Sequence, residues 1–234
     1  MHGLFIATSS IEDDIFKNAD MSDLAGYSLA EIEASEHYDS QKANNLFSEF
    51  KEKEVWPVPT LVTYYNMAKT EIDPRSKYVP TDVQEQWAEV IRAVPPEQVE
   101  LMDAINSKNP EMVQKLNDAG VPMLAGTDSG YELTNLIYGV SLHDELELLV
   151  KSGLTPLQAL QTATLNPARY LEREEELGTV EEGKLADLVL LDKNPLEDIR
   201  NTTSISAVIL DGKLMEKQTL DQAVKTYPVI KVND

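Results

Sequence analysis

The feature that most constrains this sequence is a short apolar run that ends in an acidic residue. Residues 121–130 read VPMLAGTDSG, so the acid is Asp128. A run of this length, bounded by glycines, is typical of a strand buried on both faces, as in a parallel sheet covered by helices. Gly126 and Gly130 allow a sharp turn and leave room for a ligand beside the backbone. Asp128 is therefore the first candidate for a functional side chain, and the hydroxyl of Thr127 could hold it.

Two interpretations of Asp128 follow from these ten residues. A carboxylate at the carboxyl end of a parallel strand lies where α/β barrels place their active sites. The alternative is structural: Asp128 would cap the turn after a buried strand, because Asp and Gly are common turn residues. The ten residues alone leave both open.

Composition excludes several classes of function. The 234 residues contain 41 acidic and 20 basic side chains, a formal charge of −21. This charge repels phosphate backbones and anionic membrane surfaces, so we expect neither nucleic acid nor membrane as a partner. The absence of cysteine excludes disulfides and thiolate zinc sites. No apolar run approaches a membrane span and no signal peptide is recognisable, so we expect a soluble protein whose compartment the sequence leaves open.

The residues before Asp128 give helical patterns interrupted by prolines. The opening MHGLFIATSS resembles the end of a strand, and residues 9–38 are polar, which predicts a loop with short helical turns. Apolar spacing predicts helices over residues 40–53, 83–94, 96–107 and 110–119, with Gly120 as a C-cap. Residues 55–65 are rich in β-branched and aromatic side chains and predict a strand, irregular at Pro57 and Pro59.

The residues after Asp128 carry helix-start signals and then change period. Ser141 and Thr155 each begin a capping-box spacing, and Asn166-Pro167 begins a third helix. Residues 177–192 and 205–215 are strand-like, and Asp211-Gly212 between apolar runs predicts a hairpin. We therefore expect two units, residues 1–176 with α/β character and residues 177–234 rich in β-structure.

Four motifs in order give a resemblance to a known family. They are GVPMLAGTDSG, SLHDELELLVKSGLTPLQALQTATLNPARYL, LGTVEEGKLADLVLLDKNPLEDI and AVILDGKL. They closely resemble the carboxyl-terminal half of amidohydrolase-superfamily enzymes, above all the imidazolonepropionase-like hydrolases and related metal-dependent dipeptidases. The resemblance implies a (β/α)8 TIM-like barrel with a β-sandwich assembled from both chain ends. Residues 1–176 would then be part of the barrel and residues 177–234 part of the sandwich.

The resemblance also implies a chemistry. Family members bind one or two divalent metals, often zinc, through a His-x-His, a carboxylated lysine or acid, two further histidines and a last aspartate. Asp128 matches that aspartate, so by resemblance it would bind the metal and take the proton from the attacking water. The implied substrate is a small-molecule amide or a dipeptide.

The histidines depart from the family pattern. The chain has three, His2, His37 and His143, and none forms His-x-His. His2 could be a ligand after a small alignment shift, whereas His37 lies in an acidic stretch that favours a solvated surface position. His143 lies in the first turn of a helix, which favours packing or a hydrogen bond to a metal ligand. Since catalytic metal sites usually have three protein ligands, one convincing ligand is too few.

The main hypothesis is therefore a metal-dependent amidohydrolase chain that lacks most of its ligands, is inactive alone, and needs a complementary amino-terminal chain or a second copy. The alternative is a non-catalytic interaction protein, or an orphan fragment, whose acidic surface and unpaired β edge contact a partner. A third hypothesis is a complete, unrelated α/β protein. The substrate cannot be named from the sequence, because barrel specificity lies in loops that are mostly absent here. Tyr131 and Asn135 could line a pocket or have a structural role.

Overall fold

A computed structural model describes residues 3–129 and 135–226 of the chain. These residues form a mixed α/β structure that is mostly helical. The helices are α1 (Leu4–Ala7), α2 (Glu12–Asn18), α3 (Leu24–Glu36), α4 (Ser40–Glu52), α5 (Leu61–Met67), α6 (Thr81–Ala93), α7 (Pro96–Asp118), α8 (Val140–Lys151), α9 (Pro156–Thr162), α10 (Leu165–Tyr170) and α11 (Lys217–Thr226). Two 3-10 helices span Pro74–Tyr78 and Ile199–Thr203, and the strands are β1 (Leu188–Leu191), β2 (Ile205–Leu210) and β3 (Lys213–Glu216). Within the described ranges, none of the helices has the length and apolarity to cross a membrane.

The core lies between five of the helices. Helix α3 packs on α1 and α7, and α5 packs on α7 and α8. The largest apolar side chains withdrawn from solvent are Phe47, Leu61, Met102, Met112, Leu116 and Leu149. Burial of each stabilises the fold by roughly 2 kcal/mol, so these contacts fix how α5 lies against α7 and α8.

The two helices predicted over residues 96–107 and 110–119 are one helix, and that prediction was wrong at Pro110. Helix α7 continues through this proline for 23 residues. A proline inside a helix removes one hydrogen bond and costs about 3 kcal/mol. Met102 and Ile105 before it and Met112 and Val113 after it are all buried, so core packing offsets the cost. Gly120 follows with φ 68°, as a glycine after a helix end should.

The amino-terminal predictions also need correction. The residues expected to end a strand form α1, and residues 9–38 contain two defined helices, α2 and α3, instead of a loop with short turns. The predicted strand over residues 55–65 is wrong, because residues 55–60 have no regular structure and α5 begins at Leu61. The predicted helices over residues 40–53 and 83–94 are confirmed as α4 and α6.

The apolar run before Asp128 has no regular secondary structure and belongs to no sheet among the described residues. Val121 and Met123 are buried, and the Leu124 N–H donates to the carbonyl of Pro57 at 3.0 Å. The Ala125 N–H donates to the carbonyl of Thr162 at 2.9 Å. The neighbouring residues 55–60 contain two prolines, which have no N–H to donate, so a regular ladder cannot form between the segments. Pro122, Leu124 and Ala125 are only half-buried, so the predicted burial on both faces is confirmed in part, and the prediction of a strand is wrong.

The carboxyl-terminal residues form a three-stranded antiparallel sheet in the order β1-β2-β3. The predicted hairpin is confirmed: Leu210 pairs with Lys213 across Asp211 and Gly212, whose φ angles are 50° and 72°. Positive φ at both positions is the mark of the two-residue turn that fits strand twist. Of residues 177–192 only β1 is a strand. The division into units at residues 176 and 177 remains a prediction.

The two capping boxes had different outcomes. Thr155 accepts from the Gln158 N–H at 3.2 Å and Gln158 accepts from the Thr155 N–H at 2.8 Å, so this box is confirmed. The Ser141 box is wrong, because the hydroxyl of Ser141 accepts from the N–H of Ile137 at 2.9 Å. Helix α8 begins after Gly139, whose φ of 76° sets the turn into the helix.

Candidate active site

Asp128 lies at the solvent-facing end of the partly buried segment that begins at Val121. Its φ is 52°, in the left-handed region that Asp tolerates better than most residues. The residue is exposed. The hydroxyls of Thr127 and Ser129 are 2.7 Å apart and the Ser129 N–H lies 3.3 Å from the Thr127 hydroxyl. Thr127 therefore holds the turn around the acid, where the sequence had offered its hydroxyl as a partner of the acid itself.

Helix α5 and the residues before it hold the backbone of this turn. The Thr63 hydroxyl donates to the Thr127 carbonyl at 2.9 Å. A methyl group at Gly126 would lie 2.5 Å from Cγ1 of Val58. Gly126 is thus required for close approach to residues 55–60, whereas the sequence had assigned it to a turn and a ligand.

Glu145 is a buried acid that sequence reasoning missed. Its two carboxylate oxygens accept from the N–H groups of Leu61 at 3.1 Å and Val62 at 2.8 Å, at the start of α5. The side chain is 0% exposed, and burial raises the pKa of its carboxyl to about 7 although both hydrogen bonds oppose the rise. One signal was present: Glu145 shares a helix face with Leu148 and Leu149, where an acid must find buried donors.

A second buried acid, Glu31, was also missed. It accepts from the Phe5 N–H at 3.2 Å and from the Tyr27 hydroxyl at 3.1 Å. Burial raises the pKa of its carboxyl, against these hydrogen bonds. Tyr64 on α5 is buried, and its pKa is raised by burial first and then by the charges of Glu31 and Asp128. The phenol of Tyr64 is therefore a neutral group within the electrostatic reach of Asp128.

His143 connects α8 to the carboxyl-terminal residues. Its Nδ1 is 2.9 Å from the hydroxyl of Thr202, which itself donates to the carbonyl of Ile199. Because that hydroxyl proton is used, His143 donates from Nδ1–H. Burial lowers the pKa of the imidazole. Its predicted hydrogen bond to a metal ligand remains a prediction.

The other predicted site residues have varied positions. His37 is exposed, as expected of a solvated histidine. Asn135 is buried with φ 53°, and its amide lies 3.4 Å from the Glu71 carbonyl, which is a structural contact. His2 and Tyr131 lie outside the described residues.

Metal ligands do not converge on Asp128 within the described chain. Across residues 3–129 and 135–226, no group of three or more His, Cys, Asp or Glu side chains could hold an ion. These residues therefore do not fit a divalent metal by themselves.

Comparison with known proteins decides the family. The profile of the Amidohydrolase family matches residues 35–215, most of the chain. The chain belongs to the amidohydrolase family. Members of this family generally use divalent metals.

Curated amidohydrolase relatives are matched over short regions. An imidazolonepropionase of Thermoplasma volcanium is 37% identical over 92 residues, 39% of this chain and 22% of the relative. A 5-methylthioadenosine/S-adenosylhomocysteine deaminase of Moorella thermoacetica is 33% identical over 132 residues, 47% of this chain and 30% of the relative. An adenine deaminase of Clostridium botulinum is 38% identical over 82 residues, 34% of this chain and 13% of the relative. The chain thus spans less than a third of each of these relatives.

Solved amidohydrolase structures share the fold over more of the chain. A Xaa-Pro dipeptidase with bound methionine has a TM-score of 0.55 at 24% identity, over 82% of this chain and 43% of that one. Bottromycin amidohydrolase has a TM-score of 0.57 at 21% identity, over 70% and 38%. A putative prolidase from Bifidobacterium longum has a TM-score of 0.53 at 20% identity, over 89% and 56%. The structural neighbours are TIM-barrel amidohydrolases, and the expected superfamily is confirmed.

Proposed function

We propose that this chain carries the proton-accepting and metal-binding aspartate of a hydrolase that cleaves C–N bonds in a small amide, a cyclic amidine or a dipeptide. The observation that carries the proposal is the position of Asp128. Its exposed side chain follows a partly buried segment and lies in a left-handed turn, within the family match. A surface turn would not need this combination of a buried approach and a fixed backbone.

The chemistry that the chain itself can supply is proton transfer. An ionised carboxylate accepts hydrogen bonds only, so it can receive the proton that a water molecule loses when it attacks a carbonyl or amidine carbon. The Thr63 hydrogen bond to the Thr127 carbonyl fixes the backbone beside this carboxylate. Positioning of this kind is what an efficient general base needs.

The metal centre is the part that the described residues do not complete. A catalytic zinc site usually has three protein ligands, and Asp128 is one. In this proposal the remaining ligands come from outside the described residues: from His2, from further sequence of a longer chain, or from a complementary chain or second copy. Residues 1–176 then form the carboxyl-terminal part of a barrel and residues 177–234 part of a sandwich, and zinc is the proposed metal.

A non-catalytic interaction protein is the second candidate, and two observations favour it. The described residues contain no three-ligand group. The sheet also exposes apolar side chains, with Val189 and Leu214 each 58% exposed. Such side chains are typical of surfaces that contact another chain.

The test compares the 234-residue chain alone with the same chain co-expressed with its upstream coding sequence. We expect the chain alone to bind zinc weakly and to hydrolyse nothing in a panel of Xaa-Pro dipeptides, imidazolonepropionate and adenine. The complemented protein should bind stoichiometric metal and turn over one of these classes. Metal is measured by mass spectrometry, and turnover by chromatographic separation of each substrate from its hydrolysis product, since ring opening releases no amine or ammonia.

Asp128→Asn supplies the decisive variant and Asp211→Asn its matched control. Both aspartates are exposed with φ near 50°, and Asn tolerates that backbone. We expect Asp128→Asn to lower turnover at least 100-fold, in the range for loss of a general base, and Asp211→Asn to leave it unchanged. Unchanged turnover in Asp128→Asn would refute the proposal, and complementation that restores neither metal nor turnover would favour the interaction protein.

A further inference from the structure

The start of α5 is held by a carboxylate from a distant part of the chain. The first N–H groups of a helix have no acceptor within it. Here Glu145, more than 80 residues further on in α8, accepts from both Leu61 and Val62. Because Glu145 is fully buried, these two N–H groups replace the hydrogen bonds that its carboxyl oxygens would otherwise form with water. The arrangement ties the start of α5 to α8 through two backbone hydrogen bonds to one buried carboxyl group.

The residue before α5 is strained. Thr60 has φ 49°, and a β-branched side chain disfavours the left-handed region. Such a conformation persists where the surrounding structure determines it, at a cost of about 1–3 kcal/mol. The hydrogen bonds from Leu61 and Val62 begin at the next residue, so the Glu145 carboxylate fixes the angle at which the chain enters α5.

The other end of this connection is the turn that carries Asp128. Thr63 is the next residue after Val62, and its hydroxyl donates to the Thr127 carbonyl at 2.9 Å. The carboxyl of Glu145 thus accepts hydrogen bonds from the start of α5. Thr63 on α5 in turn donates a hydrogen bond to Thr127, the residue before Asp128. The three segments are far apart in sequence, and these hydrogen bonds link them in one series.

We infer that Glu145 is a positioning residue that orients the Asp128 carboxylate through α5 and the Thr63–Thr127 hydrogen bond. The importance of this orientation for catalysis rests on the proposed function. The orientation itself is a property of the folded chain and can be tested without turnover. Glu145 is also distinct from a simple helix cap, since its effect should be measurable at a side chain that it does not touch.

The test uses two substitutions that preserve size. Glu145→Gln replaces one acceptor oxygen by an NH2 group, so only one of the two α5 N–H groups keeps its acceptor. Thr63→Val removes the hydroxyl that contacts Thr127. The matched controls are Glu147→Gln, which changes a partly exposed acid on the same helix paired with Lys151, and Thr63→Ser, which keeps the hydroxyl.

Two NMR measurements on the full 234-residue chain report the result. Amide hydrogen exchange should accelerate about tenfold or more in Glu145→Gln at whichever of Leu61 and Val62 loses its acceptor, as expected for loss of a buried hydrogen bond. The carboxyl carbon chemical shift of Asp128, read at one fixed pH, should change in Glu145→Gln and in Thr63→Val. The double variant should move it no further than the larger single change, because both substitutions interrupt one connection.

Each outcome decides the inference. If amide exchange becomes faster at the start of α5 but the Asp128 signal does not move, Glu145 is only a structural helix cap and the proposal is overturned. Strictly additive chemical-shift changes in the double variant would also overturn it. If Glu145→Gln does not fold, Thr63→Val against Thr63→Ser still tests the connection, and an unmoved Asp128 signal in Thr63→Val overturns it. None of these measurements depends on turnover, so the NMR results can be interpreted even if the proposed hydrolase activity is not found.

Discussion

Arg75 and Asp144 are joined by two parallel hydrogen bonds, Nη1 to Oδ1 at 2.8 Å and Nη2 to Oδ2 at 2.7 Å. The same guanidinium contacts Asp73, with Nε to Oδ1 at 2.9 Å and Nη2 to Oδ2 at 2.6 Å. The Asp73 side chain is only 7% exposed, so Arg75 is the main compensation for a nearly buried charge and lowers the pKa of that carboxyl. The contact joins the 3-10 helix Pro74–Tyr78 to the start of α8.

Replacement of Arg75 tests how much these paired hydrogen bonds contribute to the free energy of unfolding. Arg75→Lys keeps the charge but cannot form the two parallel bonds, so we expect a loss of about 1–2 kcal/mol in the free energy of unfolding. Arg200→Lys is the control, because its pair with Asp198 is largely exposed and the substitution should leave the free energy of unfolding nearly unchanged. Urea denaturation measures both, and equal midpoint shifts would contradict the expectation.

The contact between Gly126 and Val58 predicts a size compensation next to the candidate site. Gly126→Ala places a methyl group 2.5 Å from Cγ1 of Val58, so we expect a loss of about 1–3 kcal/mol. Val58→Ala alone should cost less than about 1 kcal/mol, because that side chain is 39% exposed. The double variant should recover most of the Gly126→Ala loss, since Val58→Ala removes the clashing atom.

A double-mutant cycle by thermal or urea unfolding measures this coupling. The control pair is Gly126→Ala with Val55→Ala, a similarly exposed valine nearby in sequence. If Val55→Ala restores the stability lost in Gly126→Ala, or if Val58→Ala fails to restore it, the destabilisation by Gly126→Ala has another cause than the contact with Val58.

The sequence predicted elements whose signal is local. The Thr155 capping box and the Asp211-Gly212 hairpin are set by a few neighbouring residues, and both formed as expected. The position of Asp128 after a buried run was likewise visible, because apolar character and glycine spacing are local properties. The same local reasoning could show the family but not the contacts around the acid.

Elements that depend on distant residues were predicted wrongly or missed. Residues 61–65 have β-branched and aromatic side chains typical of a strand, yet they form α5, whose first N–H groups are held by Glu145. Helix α7 passes through Pro110 because both its halves bury apolar side chains. In each case tertiary contacts outweigh local propensity, and contacts between distant residues cannot be identified from a single sequence.

Glu145 predicts a pH dependence of stability with a definite sign. Its folded pKa of about 7 lies above the ordinary glutamate value, so the folded state holds a proton that the unfolded state has lost. The protonated acid therefore favours folding, and its contribution is full below about pH 4.5 and is lost as the pH rises through about 7. The expected decrease is about 3 kcal/mol.

Glu145→Gln should remove this decrease, because an amide does not titrate between pH 4 and 8. The measurement is the difference in unfolding free energy between wild type and variant at several pH values from about 4.5 to 8. The difference should change in favour of the variant as the pH rises. A constant difference over that range would contradict the raised pKa of Glu145.

His143 and Thr202 predict a second pH effect of opposite sign. Burial lowers the folded pKa of His143, so the neutral imidazole favours folding above its ordinary value near 6.5, and this contribution is lost as the pH falls.

Thr202→Val removes the hydroxyl that Nδ1–H contacts at 2.9 Å and should cost about 1 kcal/mol. Thr203→Val is the control, because Thr203 is exposed and its hydroxyl donates to the backbone carbonyl of Arg200. Nitrogen-15 NMR of the imidazole should find the proton on Nδ1 in wild type and a mixture of tautomers in Thr202→Val. A ring that keeps its proton on Nδ1 in the variant would mean that another acceptor, and not Thr202, joins α8 to the carboxyl-terminal residues.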